Sequence, residues 1–379
     1  MPRSIPPPPV YFDSAATSWP KPPPVRNAVA AALYFSGNPG RGGHPLSARA
    51  GETVFHARRT AADLFGASPE NVVFTLNCTH ALNLAIKGAL RRGDHVIISS
   101  MEHNAVYRPV TALAEAGMIR FSIAQVRRDP RETVENIRRL IRRNTRAVIC
   151  TLVSNVTGLI LPYDDIAALC RAHGLIFIAD GAQACGVLPV SLQNGMKLLC
   201  TAGHKGLLGP MGTGLLISDG TVSLRPLMQG GTGSLSASPH MPDYLPDALE
   251  PGTVNVPGIA GLDAGMQTVR KRGYDAIFQH EHTLCLQFLR GLSEIPGAQI
   301  FRDETADFAP VVSFVMPHEH PADTAARLAA RGFCLRAGLH CAPLAHQTIG
   351  TAEHGTVRFA PAFTNAPEEV EALLDALKI

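Results

Sequence analysis

From residue 48 onward, apolar and polar positions alternate between two kinds of stretch. Helices are predicted over 48–65, 79–90, 104–116, 131–142 and 163–173, and strands over 71–75, 95–99, 119–124, 146–152 and 175–179. The strands are apolar almost throughout, as strands buried on both faces are. Repeated units of that kind build a mainly parallel sheet covered by helices on both sides, so the expected fold class is α/β. A further apolar run at 198–200 and a strand at 213–218 extend the pattern. The arginine-rich run from Arg138 to Arg146 falls largely on one helix and reads as its wet face.

The flanking segments obey other rules. Prolines crowd the first nine residues and again 20–24, so an extended arm, outside the core, is expected to lead into a helix over 25–35. Residues 38–44, Asn-Pro-Gly-Arg-Gly-Gly-His, hold too many glycines and prolines for regular structure and carry Arg41 and His44 on a backbone free to approach a ligand. Residues 219–257 are rich in Gly, Pro and Ser, and so long a loop usually serves a function or holds a partner. A helical region over 258–291 follows, then strands near 310–315, 333–336 and 356–360 alternating with helices at 321–331 and 367–377. The expected division is an arm over 1–24, a large domain over 25–257 and a small αβ domain over 258–379.

In sheets of this kind ligands bind beyond the carboxyl ends of the strands. Thr79, His103, Asn155, Asp180 and Lys205 each follow a predicted strand, which directs five side chains to one place. Lys205 and Asp180 decide the chemistry. Each alone has an ordinary reading, a solvated lysine or an Asp-Gly turn. Together at neighbouring strand ends they supply what a pyridoxal 5'-phosphate enzyme needs, an amine for a Schiff base and an anion for the pyridinium nitrogen. Thr79 opens a helix whose N–H groups and dipole suit a phosphate, although an N-cap role is the simpler alternative.

Composition narrows the field without adding a function. The 379 residues are 46% apolar and 17% charged with a formal charge of +3, which argues against nucleic acid or an anionic membrane surface as partner. No apolar stretch approaches the length of a membrane span, and the start lacks the apolar core of a signal peptide, so a cytoplasmic protein is expected. Eight scattered cysteines, with no Cys-x-x-Cys, fit a reducing compartment.

Several motifs resemble those of one known family. They are Asp13-Ser-Ala-Ala-Thr17, Gly40-Arg-Gly-Gly-His44, Met101-Glu-His103-Asn, Ser154-Asn155-Val-Thr-Gly, Asp180-Gly-Ala-Gln183, Gly203-His204-Lys205-Gly, Glu250-Pro-Gly-Thr253 and Arg336-Ala-Gly-Leu-His-Cys341-Ala-Pro-Leu. From Tyr11 to the last helix the chain resembles the class V aminotransferase group of fold-type I pyridoxal phosphate enzymes, and within it the cysteine desulfurases and selenocysteine lyases. The resemblance implies that Lys205 holds the cofactor, that Asp180 pairs with its ring nitrogen, that Gln183 bonds the ring hydroxyl and that His103 stacks on the ring. Thr79 and His204 would hold the phosphate, joined by Thr253 of a second subunit in a homodimer with composite sites.

By the same resemblance Arg358, helped by Asn155 and Arg336, would take the substrate carboxylate. His44 and Arg41 would reach the site from their loop, and Cys341 would attack the sulfur of L-cysteine, leaving alanine and a persulfide for a protein sulfur acceptor, as in sulfur mobilisation and iron–sulfur cluster assembly. Arg336 and His340 are expected to favour the Cys341 thiolate. The compact cysteine loop resembles that of the desulfurases that depend on a dedicated acceptor. One departure stands out: Ala202 replaces a hydroxyl common in relatives, and Thr201 is expected to point to the opposite face.

Alternatives of the same fold are a selenocysteine lyase, or an aminotransferase or epimerase in which Cys341 is incidental. A non-catalytic nucleotide-binding α/β protein is the alternative of another class. Neither Gly-x-Gly-x-x-Gly after the first strand nor Gly-x-x-x-x-Gly-Lys-Ser/Thr is present to support it. Metal hydrolysis lacks a His-Glu-x-x-His spacing, and no metal is expected.

Overall fold

A computed structural model describes residues 9–40, 42–302 and 307–378. Along the first half run β1 (Val10–Tyr11), α1 (Pro23–Phe35), α2 (Pro45–Phe65), β2 (Val72–Thr75), α3 (Cys78–Ala89), β3 (Asp94–Ser99), α4 (Asn104–Glu115), β4 (Ile119–Ala124), α5 (Pro130–Arg139), β5 (Thr145–Thr151), α6 (Tyr163–Ala172), β6 (Ile176–Asp180), β7 (Leu198–Ala202) and β8 (Gly214–Ser218). The remainder adds α7 (Val256–Arg272), α8 (Tyr274–Ser293), β9 (Gln299–Ile300), β10 (Val312–Val315), α9 (Pro321–Ala330), β11 (Phe333–Cys334), β12 (Arg336–Gly338), α10 (Pro343–Thr348), β13 (Thr356–Phe359) and α11 (Pro367–Leu377).

Seven strands form the central sheet in the order β2-β8-β7-β6-β5-β3-β4. Strands β7, β6, β5, β3 and β4 run parallel, while β8 is antiparallel to both its neighbours. Side chains of one strand alternate between two cores, as the period of two requires. In β6, Phe177 and Ala179 face the layer of α2, α5, α6 and α7, whereas Ile176 and Ile178 face that of α3 and α4. Both faces are thus sealed, which explains why the strands read as unbroken apolar runs. Among the described residues no helix is long and apolar enough to cross a membrane.

A second sheet, β12-β13-β10-β9, is antiparallel and packs on α8 and α11. Phe12 inserts into the same core with no exposure, and β1 pairs in parallel with β11. The expectation that the arm stays outside the core is therefore wrong for its middle: Val10 and Phe12 pack into the core of the small sheet, and Ala15 packs on Val311 and Ala360. The single helical region expected over 258–291 is two helices, broken at Gly273, whose φ of +85° lies where other residues strain. Helix α7 lies on α1 and α2, and α8 on α11, so the chain crosses from one sheet's helices to the other's at that break.

Between Ser218 and Val256 the chain forms neither helix nor strand, and one ion pair fastens the end of this segment. The guanidinium of Arg58 on α2 meets Glu250 through two N–H···O bonds of 2.8 Å, and Glu250 also accepts from the backbone N–H of Phe74 on β2 at 2.6 Å. Both side chains are buried. Replacing Glu250 with Ala strands the Arg58 charge in the interior, so unfolding in urea should require about 3 kcal/mol less free energy. A loss below about 1 kcal/mol would mean that the loop is held by something else.

Candidate active site

The carboxyl ends of β3, β5, β6 and β7 open into a cavity of about 300 Å³ lined by Thr79, His103, Asn155, Asp180, Gln183, His204, Lys205, Arg336 and Arg358, among others. Asp180 closes β6 and is buried; its Oδ1 accepts the N–H of Ala182 at 2.9 Å and the thiol of Cys78 at 3.4 Å. Lys205 comes three residues after the end of β7. Its amine makes no hydrogen bond or ion pair among the described residues, and burial pushes it below the usual lysine range against the opposing pull of Asp180. A lowered proton affinity makes the amine a better nucleophile and a readier base than a solvated lysine.

The arm explains how the peptide before Lys205 is held. The carbonyl of His204 accepts from Ser18 N–H at 3.0 Å, Thr17 Oγ1 at 3.1 Å and Lys21 Nζ at 2.8 Å. His204 keeps a buried Nδ1 with no partner. Burial, with Lys205 and Lys21 nearby, brings its imidazole down to about 4. His103 caps α4, its Nδ1 accepting from Ala105 N–H at 3.0 Å. Burial also lowers His103 to about 4, opposed by Asp180 and reinforced by Lys205, Arg336 and Arg358.

At the start of α3 the N-cap is Asn77, whose Oδ1 accepts from His80 N–H at 2.9 Å. Thr79 is thus inside the helix rather than its cap. The cap leaves the Cys78 and Thr79 amides without an acceptor among the described residues, at the positive end of the helix dipole. Thr201 is buried and directs its hydroxyl to the Gly181 carbonyl, while Ala202 lines the cavity, as strand alternation predicts. The anion cradle therefore consists of two free amides, Thr79 and His204.

Cys341 alone among the eight cysteines is exposed; six are buried. It stands on the four-residue link between Gly338 of β12 and Pro343 of α10, with His340 at φ +48° and Cys341 at φ +58°. The Asn104 N–H at the head of α4 grips the Cys341 carbonyl at 2.7 Å, and Asn155 Nδ2 grips that of His340 at 2.8 Å. Gly355 must be glycine: at φ +70° a Cβ there would lie 2.4 Å from the Gly338 backbone and displace the loop. The sulfur is 3.6 Å from Arg336, which lines the cavity, although Cys341 itself does not. His340 is no help to a thiolate: burial, with Arg358 close by, holds its imidazole neutral down to about 2.

The matching family model is Aminotransferase class-V, over residues 10–373. A probable cysteine desulfurase of Methanothermobacter thermautotrophicus is 31% identical over 97% of this chain and 94% of its own. The structure of a cysteine desulfurase from Thermococcus onnurineus superposes with a TM-score of 0.89 at 30% identity, covering 98% of this chain and 94% of that one. The cysteine desulfurase CsdA of Escherichia coli, solved as an S-sulfonic acid, gives a TM-score of 0.86 at 26% identity, over 97% of this chain and 94% of its own.

The chain belongs to the class V aminotransferase family.

Class V enzymes work with pyridoxal 5'-phosphate, and the residues present fit that group: a partly buried amine and a buried carboxylate facing the same cavity, and an anion cradle with an imidazole nitrogen that, like the amine, has no partner among the described residues. Not every expected residue of this class V chain reaches the cavity. His44 caps α2, its Nδ1 accepting from Ser47 N–H at 3.3 Å, and is exposed. Thr253 lines a separate cavity with His80 and Glu250. Arg41 lies outside the described residues. The fork of Arg358 is engaged within the chain, by Asp13 at 2.6 Å and the Asn155 carbonyl at 3.1 Å, leaving a buried Nε without a partner. Asn155 and Gln183 likewise spend side-chain N–H bonds on the His340 and Ala15 carbonyls.

Sequence reasoning missed Cys78 against Asp180, Lys21 behind His204 and Asp13 on Arg358. The third stood inside a quoted motif, Asp13-Ser-Ala-Ala-Thr17, and was not matched to an arginine 345 positions away.

The lowered imidazoles carry a pH dependence of definite sign. A histidine near 6.5 when unfolded and near 4 when folded stabilises the fold fully above 6.5, and that contribution is lost as pH falls toward 4. The melting temperature of the cofactor-free protein should therefore drop steeply from pH 6.5 to 4, and imidazole ¹⁵N shifts should report His103 neutral at pH 6. A His103 that titrates near 6.5 would contradict the buried site.

Proposed function

We propose that this protein is a pyridoxal phosphate-dependent cysteine desulfurase that converts L-cysteine to L-alanine and leaves a persulfide on Cys341 for a protein acceptor. The observation that carries this reading is the conjunction of Lys205, whose amine lines the cavity without a partner among the described residues, with the one exposed thiol of the chain, 3.6 Å from Arg336 of the same cavity on a loop whose Cys341 carbonyl Asn104 holds. When bound, the cofactor supplies a sink for the electrons released as the Cα proton of the substrate leaves. Lys205 would hold it, Asp180 would face its ring nitrogen, Gln183 its hydroxyl and His103 its ring. Thr79, His204 and the free amides of α3 would take its phosphate.

The roles of the chain's own groups follow. Lys205 Nζ, whose hold on a proton is weakened by burial, accepts the Cα proton. Neutral His103 stands beside it as a second group able to move a proton. Arg358 and Arg336 supply positive charge for the substrate carboxylate, with Asp13 and Asn155 fixing the plane of the Arg358 fork. Cys341 Sγ forms the new S–S bond as the substrate C–S bond breaks, and alanine leaves. Arg336 provides the cation beside the attacking sulfur.

Thr253 and His44 would act from a second copy. Support for a homodimer comes from large apolar side chains left exposed, among them Leu33, Tyr34, Phe55, Leu76 and Met211. The eight free thiols fit a cytoplasmic location.

Replacing Cys341 with Ala decides the reaction. The variant should bind pyridoxal phosphate as the native protein does, yet produce alanine and sulfide from cysteine at least about 100-fold more slowly. Unchanged turnover would make the cysteine incidental, and a native protein that forms neither alanine nor sulfide from cysteine would favour an aminotransferase or epimerase.

A further inference from the structure

Glu102, next to His103, lies against the cofactor-side ends of the strands and has no place in the reaction described above. Its side chain is completely buried between β3 and β5. Oε1 accepts the hydroxyl of Ser99, the last residue of β3, and the backbone N–H of Thr151, the last residue of β5, at 2.9 Å for the latter. The Ser99 hydroxyl in turn accepts the N–H of Met101 at 3.2 Å. The carboxyl group therefore ties two adjacent strand ends and the tight turn between Ser99 and Asn104. That turn delivers His103 to the cavity and sets the head of α4, which holds Cys341 by its carbonyl.

The second oxygen, Oε2, is buried and has no hydrogen-bond partner, and Glu102 forms no ion pair among the described residues. The ionisable groups that face it are Asp180 on β6, a like charge, and Cys150 on β5, itself kept protonated by burial. A carboxylate in such a place would be an uncompensated buried charge beside the anion that the cofactor nitrogen needs.

We propose that Glu102 is a positioning residue that works as a neutral carboxylic acid, locking the His103 turn and the Cys341 anchor while leaving Asp180 as the sole negative charge at the strand ends. The inference deepens the desulfurase reading and rests on it for the role of His103. Burial, with Asp180 adding to it, raises the Glu102 carboxyl to about 8. Ionisation above that pH would set a second negative charge against Asp180 and strain the turn.

The test compares Glu102→Gln, which keeps the shape and both accepted hydrogen bonds but cannot ionise, with Glu102→Ala, which leaves the Thr151 N–H unpaired. With pyridoxal phosphate bound, Glu102→Gln should turn over cysteine within about threefold of the native enzyme at pH 7, and Glu102→Ala should lose about 10-fold or more. The native kcat should fall above about pH 8, and that fall should move upward or vanish in Glu102→Gln.

A readout without cofactor uses the sign of the linkage. A carboxyl raised on folding destabilises the folded state progressively as pH rises from its unfolded value toward 8, so the melting temperature of cofactor-free Glu102→Gln should gain on that of the native protein between pH 5 and 8. A gap that stays constant with pH, or a Glu102→Gln variant as slow as Glu102→Ala while binding cofactor normally, would overturn the proposal. Failure of the native protein to bind pyridoxal phosphate would instead sink the desulfurase reading, and the melting comparison would still decide the state of Glu102.

Discussion

The structure depends on placing a lysine amine and an aspartate carboxylate together in one cavity at the ends of a buried sheet. Asp180 ends β6 and Lys205 follows β7, the adjacent strand, with Asp180 paired to Cys200 in register. Parallel pairing brings both strand ends to one edge, so the two groups share a cavity without either belonging to a flexible loop. Burial disfavours the charged lysine, Asp180 favours it, and the balance leaves the amine below its usual range. A sheet sealed on both faces is what makes this possible, because only a dry floor gives the pair its leverage.

Around that pair the chain uses remote segments as braces. The arm contributes Phe12 to the small core, donors from Thr17, Ser18 and Lys21 to the His204 carbonyl and Asp13 to Arg358. The Arg358–Asp13 contact joins the start of the chain to β13, and the Asn155 carbonyl completes the contact from the large sheet. The cysteine loop is tied at two carbonyls, by Asn104 from α4 and by Asn155, and braced by the close approach of Gly355. Its sulfur is therefore presented at a set place beside Arg336 rather than carried on a long tether. Such a loop suits a thiol that must meet the site and also an outside acceptor.

The sequence made legible whatever depended on local pattern. Apolar runs and amphipathic stretches marked the strands and helices of the central sheet, and the residues just past each strand end, Thr79, His103, Asn155, Asp180 and Lys205, do line one cavity. The pattern was silent where two distant segments meet. Val10 and Tyr11 form a strand only because β11 lies beside them, and Phe12 is core only because the small sheet closes over it. The break at Gly273 was hidden because one glycine is tolerated within a helical pattern. Thr79 was read as a helix start because the true cap, Asn77, stands two residues earlier. Glu102 was assigned no role, since nothing in the sequence says that a glutamate will be wholly buried.

The most direct test of the central pairing is to treat the purified protein with pyridoxal phosphate, reduce it with borohydride and map the modified peptide. The account predicts a yellow protein whose label, once fixed, resides on Lys205, and an Asp180→Ala variant that still takes the label at Lys205 but no longer removes the Cα proton of cysteine. Label distributed over surface lysines, or an Asp180→Ala variant as active as the native enzyme, would contradict it.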